Sequence, residues 1–316
     1  MDGKNITRIT MIHLIGFKTH QSIQGLMFTF LILIYCVTIC GNLLIITLVS
    51  YSKSLHSPMY FFLSQLSLSD ILIVTDILPN TLHAVLFEEA MMSFSDCITQ
   101  LYFFAMPEAL QCFLLTVMAY DRYLAICKPL HYTLIMSHRV CWITVITFWT
   151  LSMLIELILA FGISKLQFCG PNIIDHFFCD FHPLIKLSCS DATNVELEGA
   201  LFAAVLVFIP FTVIIVSYIY IVITIFNIPS VTGRQKVFST CSSHLTVVSI
   251  YYGTMVCVYL VPSREELWNI KKFLSLLYTA VTPLLNPMIY SLRNKDLKKV
   301  VRKLVILVLN LQVKKQ

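Results

Sequence analysis

Long apolar stretches recur along the chain, separated by short polar connections. They run Leu26–Val49, Met59–Leu86, Ile98–Ile126, Val140–Phe161, Leu197–Phe226, Val237–Leu260 and Phe273–Leu292. Each meets the roughly 20 residues that a helix needs to cross a bilayer core. The pattern predicts an all-α membrane protein, a seven-transmembrane helix bundle over residues 26–292, with an N-terminal segment 1–25 and a tail 293–316. In the tail, Leu297, Val300, Val301 and Leu304 interleave at helical spacing with Lys298, Lys299, Arg302 and Lys303. That predicts a short amphipathic eighth helix lying on the membrane surface. The stretch Met1–Gln21 is polar and lacks the apolar core of a signal peptide, so the first span is expected to act as its own insertion signal.

Composition agrees with this division. Charged residues make up 12% of the 316 and hydrophobic ones 58%, whereas a soluble domain typically carries about 25% charge. The net charge of +5 is concentrated in Arg293, Lys295, Lys298, Lys299, Arg302, Lys303, Lys314 and Lys315. A basic run beside a span fits anionic membrane lipid and not nucleic acid. Seven spans put the termini on opposite sides. Lys53, Lys128, Arg139, Arg234, Lys236 and the tail share one face with only Asp121 and Asp296 as acids. Glu88, Glu89, Asp96, Asp175, Asp180, Asp191, Glu196, Glu198, Glu265 and Glu266 share the other. Summed over the loops, the positive-inside rule places the tail in the cytoplasm and Met1 outside, although Lys4, Arg8 and Lys18 oppose it locally. The triplet Asn5-Ile6-Thr7 is a glycan acceptor and agrees with an outside N-terminus.

Polar residues within the spans carry the chemistry, because ionisable groups there are costly and need partners. Asp121, Arg122 and Tyr123 close the third span. Arg122 keeps its charge and five donors; it can pair with Asp121, or turn toward a partner when helices separate. Pro287 removes one backbone bond in the last span, and Tyr218 and Tyr290 lie at a depth where they can receive a rearranged Arg122. Asn42, Asp70 and Asn286 are expected to face inward and bond one another through water. Four cysteines, Cys97, Cys169, Cys179 and Cys189, fall on the acidic face, and three pairings are open. No zinc-protease motif or nucleophile elbow occurs. Nor are there the paired broken spans of a transporter.

A set of ordered motifs resembles the odorant receptors, a branch of the rhodopsin-like G-protein-coupled receptors. The set comprises Gly41-Asn42, the Leu55–Ser64 run opening the second span, Met118-Ala119-Tyr120-Asp121-Arg122-Tyr123 continuing to Cys127-Lys128-Pro129-Leu130-His131-Tyr132, then Ser217-Tyr218, the Lys236–Leu245 run and Pro283–Tyr290. Tyr120 and the Lys-Pro-Leu-His-Tyr run are similar to the tetrapod-type branch. The resemblance implies a receptor for a small volatile odorant that activates a heterotrimeric G protein of the Gs or olfactory type and raises cyclic AMP. It implies a plasma-membrane location in olfactory sensory cilia, no enzymatic activity and no cofactor. The alternative is a rhodopsin-like receptor for a non-odorant small molecule in another tissue. The resemblance also implies the pairings Cys97–Cys179 and Cys169–Cys189. Where the family usually has a glutamate before Cys-Phe-Leu-Leu, this chain has Gln111, which weakens any sodium site at Asp70; no metal is expected. His176 and Asp180 resemble a proposed copper or zinc loop, but a bridged Cys179 is no thiolate ligand.

Helical spacing and the family pattern together place ligand contacts at Phe104, Ala105 and Glu108 on the third span, Phe202 and Leu206 on the fifth, Tyr252, Met255 and Tyr259 on the sixth and Thr279 on the seventh. Tyr252 is expected to pass ligand contact to the sixth span, with Lys236 lining the cleft for the G protein. Glu108 stands where the family usually has a small residue. Lying three residues from Gln111, it shares that face, either replacing the internal acid, facing a cationic or hydrogen-bond-donating ligand, or being simply protonated and bonded locally.

Overall fold

The computed structural model describes residues 10–17, 20–169, 172–260, 268–293 and 297–302, without the side chains of Ser22, Lys236, Thr240, Tyr259, Leu260, Trp268, Asn269, Leu292 and Arg293. Among the described residues, seven helices are long and apolar enough to cross a membrane: Ile23–Tyr51, Pro58–Phe87, Phe94–Cys127, His138–Ser164, Thr193–Phe226, Cys241–Val258 and Ile270–Ser291. Their ends have local causes. Pro58 opens the second span, where its missing N–H costs nothing. Ser93 caps the third by accepting from the Asp96 N–H at 3.1 Å, and Glu88 ends the second in the left-handed region at φ 66°. Widened π turns interrupt the fifth span at Ala204–Phe208 and the seventh at Leu277–Val281. A short helix, Pro129–Ile135, joins the third span to the fourth.

The first and seventh spans approach closely because Gly41 has no side chain. A Cβ there would lie 3.2 Å from the Pro287 Cγ. Proline at 287 leaves the carbonyl of Pro283 without its helical donor, and Asn42 Nδ2 supplies one at 3.2 Å. Asn42 therefore serves a backbone carbonyl, and donates also to Thr38 O; among the described residues it makes no direct bond to Asp70. Asp70 is completely buried and accepts from Gln111 Nε2 at 2.8 Å and from Asn286 Nδ2 at 3.0 and 3.1 Å. This network ties the second, third and seventh spans together.

The disulfide-bearing end holds a feature absent from the hydropathy pattern, a three-stranded sheet. Strand β1 (Met11–Leu14) lies between β2 (Ala90–Ser93), antiparallel, and β3 (Ile173–Ile174), parallel. Its alternation is that of a half-buried strand: Ile12 and Leu14 are fully buried beside Cys97 and Cys179, while Met11 is exposed. Disulfides join Cys97 to Cys179 and Cys169 to Cys189, with Cα separations of 5.5 and 5.9 Å. Lys272, 2% exposed, sits below the sheet. Its amine donates to Asp175 at 2.5 Å and to the carbonyls of Ile15 and Gly16 at 3.2 and 3.1 Å.

At the opposite end, Leu297 is buried, Val300 and Val301 pack on the core, and Lys298, Lys299 and Arg302 face outward. Leu304 and Lys303 of the expected eighth helix lie outside the described residues, as do Asn5 and Asp296.

Candidate functional site

Two sites occupy opposite ends of the bundle. The first is a cavity of about 410 Å³ enclosed by the third to seventh spans and the long loop. Phe104, Ala105, Glu108, Phe202, Leu206 and Met255 all line it. The volume lies within the range usual for a small organic ligand, and the walls are mainly apolar.

Two anticipated residues do not line it. Tyr252 turns toward the fifth span, its ring 4.9 Å from that of Phe211, and its neighbour Tyr251 faces the cavity instead. Tyr251 donates to the Glu108 carbonyl at 3.1 Å. Its single proton is thereby used, so the Cys112 thiol, 3.1 Å away, donates to the phenol oxygen. Thr279 is fully buried and bonds back to Ser275 O; Ser275 and Tyr278 face the cavity. The π turn over Leu277–Val281 adds a residue to the helical register and so turns a different position inward. The side chain of Tyr259 lies outside the described residues.

Glu108 and Gln111 divide their roles. Gln111 joins the Asp70 network, while Glu108 faces the cavity with its Oε2 buried and unpartnered among the described residues. Glu156 of the fourth span, which the sequence reading did not select, lines the same cavity at 8% exposure. A lone acid in an apolar span was the signal that marked it.

The loop closes the cavity over these groups. Gln100 Oε1 accepts from the Cys179 N–H at 3.0 Å, and its Nε2 donates to Asp76 O at 3.1 Å. His176 stacks on Phe177 and lies 3.3 Å from Ser275 Oγ. Burial, with the nearby Lys272 charge, lowers its pKa to about 3, so the imidazole is neutral. Asp180 caps Phe181 N at 2.8 Å; burial raises its carboxyl above the ordinary range. Among the described residues no group of three or more metal-ligating side chains converges.

The second site surrounds Arg122. Its guanidinium donates twice to Asp121 Oδ2, at 2.5 and 3.1 Å. Asp121 is fully buried, and its other oxygen accepts from Tyr132 at 2.8 Å. The acid is therefore satisfied from two elements, one of them the short connecting helix. Tyr123 lies between Tyr120, on which it stacks, and Tyr220, whose ring is tilted to it by 57°. Tyr218 is held elsewhere. His244 Nε2 lies 3.1 Å from Leu115 O; a carbonyl only accepts, so Nε2 carries the proton and Nδ1 accepts from the Tyr218 hydroxyl at 2.7 Å. One neutral histidine thus links the third, fifth and sixth spans. Tyr290 is fully buried, its hydroxyl without a partner among the described residues. The side chain of Lys236 lies outside them.

A family model described as olfactory receptor matches residues 30–307. The chain belongs to the olfactory receptor family. Human olfactory receptor 11L1 is 46% identical over 96% of this chain and 95% of its own length. Olfactory receptor 1G1 of the gorilla is 44% identical over 96% and 97%, and human olfactory receptor 10A7 is 43% identical over 96% of both. The crystal structure of squid rhodopsin superposes with a TM-score of 0.74 at 18% identity, covering 93% of this chain and 88% of that one. This olfactory receptor is thus a multi-pass membrane signalling receptor of the rhodopsin-like class, with an odorant and a G protein as its general partners, and not an enzyme.

Proposed function

We propose that this receptor responds to a small volatile ligand in the 410 Å³ cavity by activating a Gs-type, olfactory α-subunit and raising cyclic AMP. The observation that carries the reading is the paired arrangement below the cavity. Arg122 is bound to a buried Asp121, Tyr218 is bound to His244, and Tyr290 has no hydroxyl partner among the described residues. These are the parts of a bistable element held in one of its two states.

Ligand pressing on Tyr251, Met255 and, behind them, Tyr252 favours an outward sixth span. That motion breaks the His244 bonds, frees Tyr218 to join Tyr290 in receiving Arg122, and opens a cleft bordered by Lys236, Asn286 and Pro287 for the G protein. The acidic, disulfide-bearing face lies outside the cell and the basic tail inside, by the charge asymmetry of the loops. Asn5 then carries a glycan, and the working location is the ciliary membrane of an olfactory neuron.

The test is cyclic AMP output in cells supplied with the olfactory α-subunit, across a broad volatile panel. Wild type and Arg122→Ala are compared at equal surface density. A response lost in Arg122→Ala supports the reading. A response that survives it shows that Arg122 is not the switch.

A further inference from the structure

Besides Asp180 of the loop, the cavity presents two acids from two different membrane-spanning helices. Glu108 comes from the third span and Glu156 from the fourth. The Oε2 of Glu108 is buried without a partner among the described residues. No hydrogen bond from a described residue reaches the Glu156 carboxylate, although that residue is 8% exposed. The charged groups that act on Glu108 are Asp180 and Glu156, both acids. Lys186 and Lys271 also line the cavity, and Lys271 stands in the field of Lys186 and of Asp180. Local hydrogen bonding leaves the pair incomplete: Tyr251 reaches the Glu108 carboxyl, but Oε2 stays without a partner among the described residues. Tyr251 donates to the Glu108 backbone carbonyl, and Cys112 to Tyr251.

We propose that the ligand is an organic amine whose ammonium bonds Glu108 and Glu156 together, its hydrocarbon resting on Phe104, Phe202, Leu206 and Met255. The proposal deepens the receptor reading of the same cavity and rests on it. Buried carboxylates without partners are costly, and an ammonium supplies both the missing charge and up to three N–H donors. An alcohol offers one donor and no charge, so it satisfies one acid at most. A carboxylate ligand is repelled by both. Because the acids come from separate helices, an amine also holds the third and fourth spans together at this depth.

The test uses the full-length receptor in lipid nanodiscs, with thermal unfolding as the binding readout. The probes share carbon skeletons: hexylamine and cyclohexylamine against hexanol, cyclohexanol and hexanoate. The amines should stabilise at concentrations at least about tenfold below the alcohols, since charge-assisted bonds outweigh neutral ones by about that factor. Glu108→Gln and Glu156→Gln should each weaken amine binding about 10- to 100-fold. An unliganded midpoint equal to wild type shows that a variant is folded, and the wild-type amine-to-alcohol comparison decides even where a variant is not. Equal affinity for amine and alcohol overturns the proposal, as does an amine preference that survives the double substitution. Cyclic AMP measured with the same compounds separates the two readings. Amine stabilisation without signalling supports the amine site and defeats the coupling proposal. Signalling by neutral odorants, without amine preference in binding, does the reverse.

Discussion

Replacing His244 with phenylalanine tests the bistable element directly. A flat aromatic ring is kept, somewhat larger than the imidazole, while the bonds to Leu115 O at 3.1 Å and from the Tyr218 hydroxyl at 2.7 Å are both lost. Each buried bond contributes about 1 kcal/mol net, and both exist only while the sixth span lies against the third and fifth. The substitution therefore raises the closed state by about 2 kcal/mol relative to the open one. That is about a 30-fold change in the equilibrium, so a receptor about 1% open at rest becomes about 20–25% open. The assay is cyclic AMP without ligand, in cells bearing equal surface density of wild type and His244→Phe. Tyr218→Phe is the informative comparison. It removes one of the same bonds but also the hydroxyl that the open state uses, so its resting output stays low. Basal output in His244→Phe at or below wild type would refute the reasoning, because the histidine would then stabilise both states equally.

Three further outcomes follow from the packing. Lys272→Met removes the three bonds joining the seventh span to Asp175, Ile15 and Gly16; it should cost about 2–4 kcal/mol, bonds to charged groups being the stronger kind, and speed protease cleavage near residue 15. Gly41→Val drives methyl groups into Pro287, already 3.2 Å from an added Cβ. Overpacking of this kind costs about 1–3 kcal/mol, read as a lower thermal midpoint and reduced surface expression. For His176, the folded pKa near 3 lies below the ordinary 6.5, so the unfolded chain binds the extra proton first. Its contribution is complete above pH 6.5 and is lost as pH falls toward 3; at pH 5 the loss is about 2 kcal/mol. The thermal midpoint should drop between pH 7 and 5, and by less in His176→Asn.

Span length and hydropathy revealed the bundle because the bilayer imposes a length that few other constraints mimic. Residues such as Asp121, Arg122 and Asp70 stood out because polar groups in lipid need a partner. The same rule applied to Glu156 would have found the cavity's second acid. What the sequence did not carry was helical phase at the cavity. Whether Tyr251 or Tyr252 faces inward, and Tyr278 or Thr279, depends on how helices rotate and where π turns add a residue. Periodicity is nearly silent there, since lipid and core are both apolar. Asn42 went to a carbonyl of the seventh span and not to Asp70, a partner fixed only when Pro287 is brought alongside. Strand β1 escaped notice because four alternating residues are a weak pattern and its partners lie far along the chain.

That distance sets an order of assembly. Met11 pairs with Ser93 in β2 and receives a bond from Asn172, 161 residues away. A ribosome adds about 5–20 residues per second, so the first strand is complete about 8–32 seconds before its last partner has been made. During that interval four spans can enter the bilayer; β2 becomes available to the leading strand after residue 93, but the β3 edge stays open. The sheet thus closes only after the fourth span has been made, and the Lys272 bonds to Ile15 and Gly16 follow later still. A newly made receptor offers its leading strand to folding helpers in the interval, and a mature one does not.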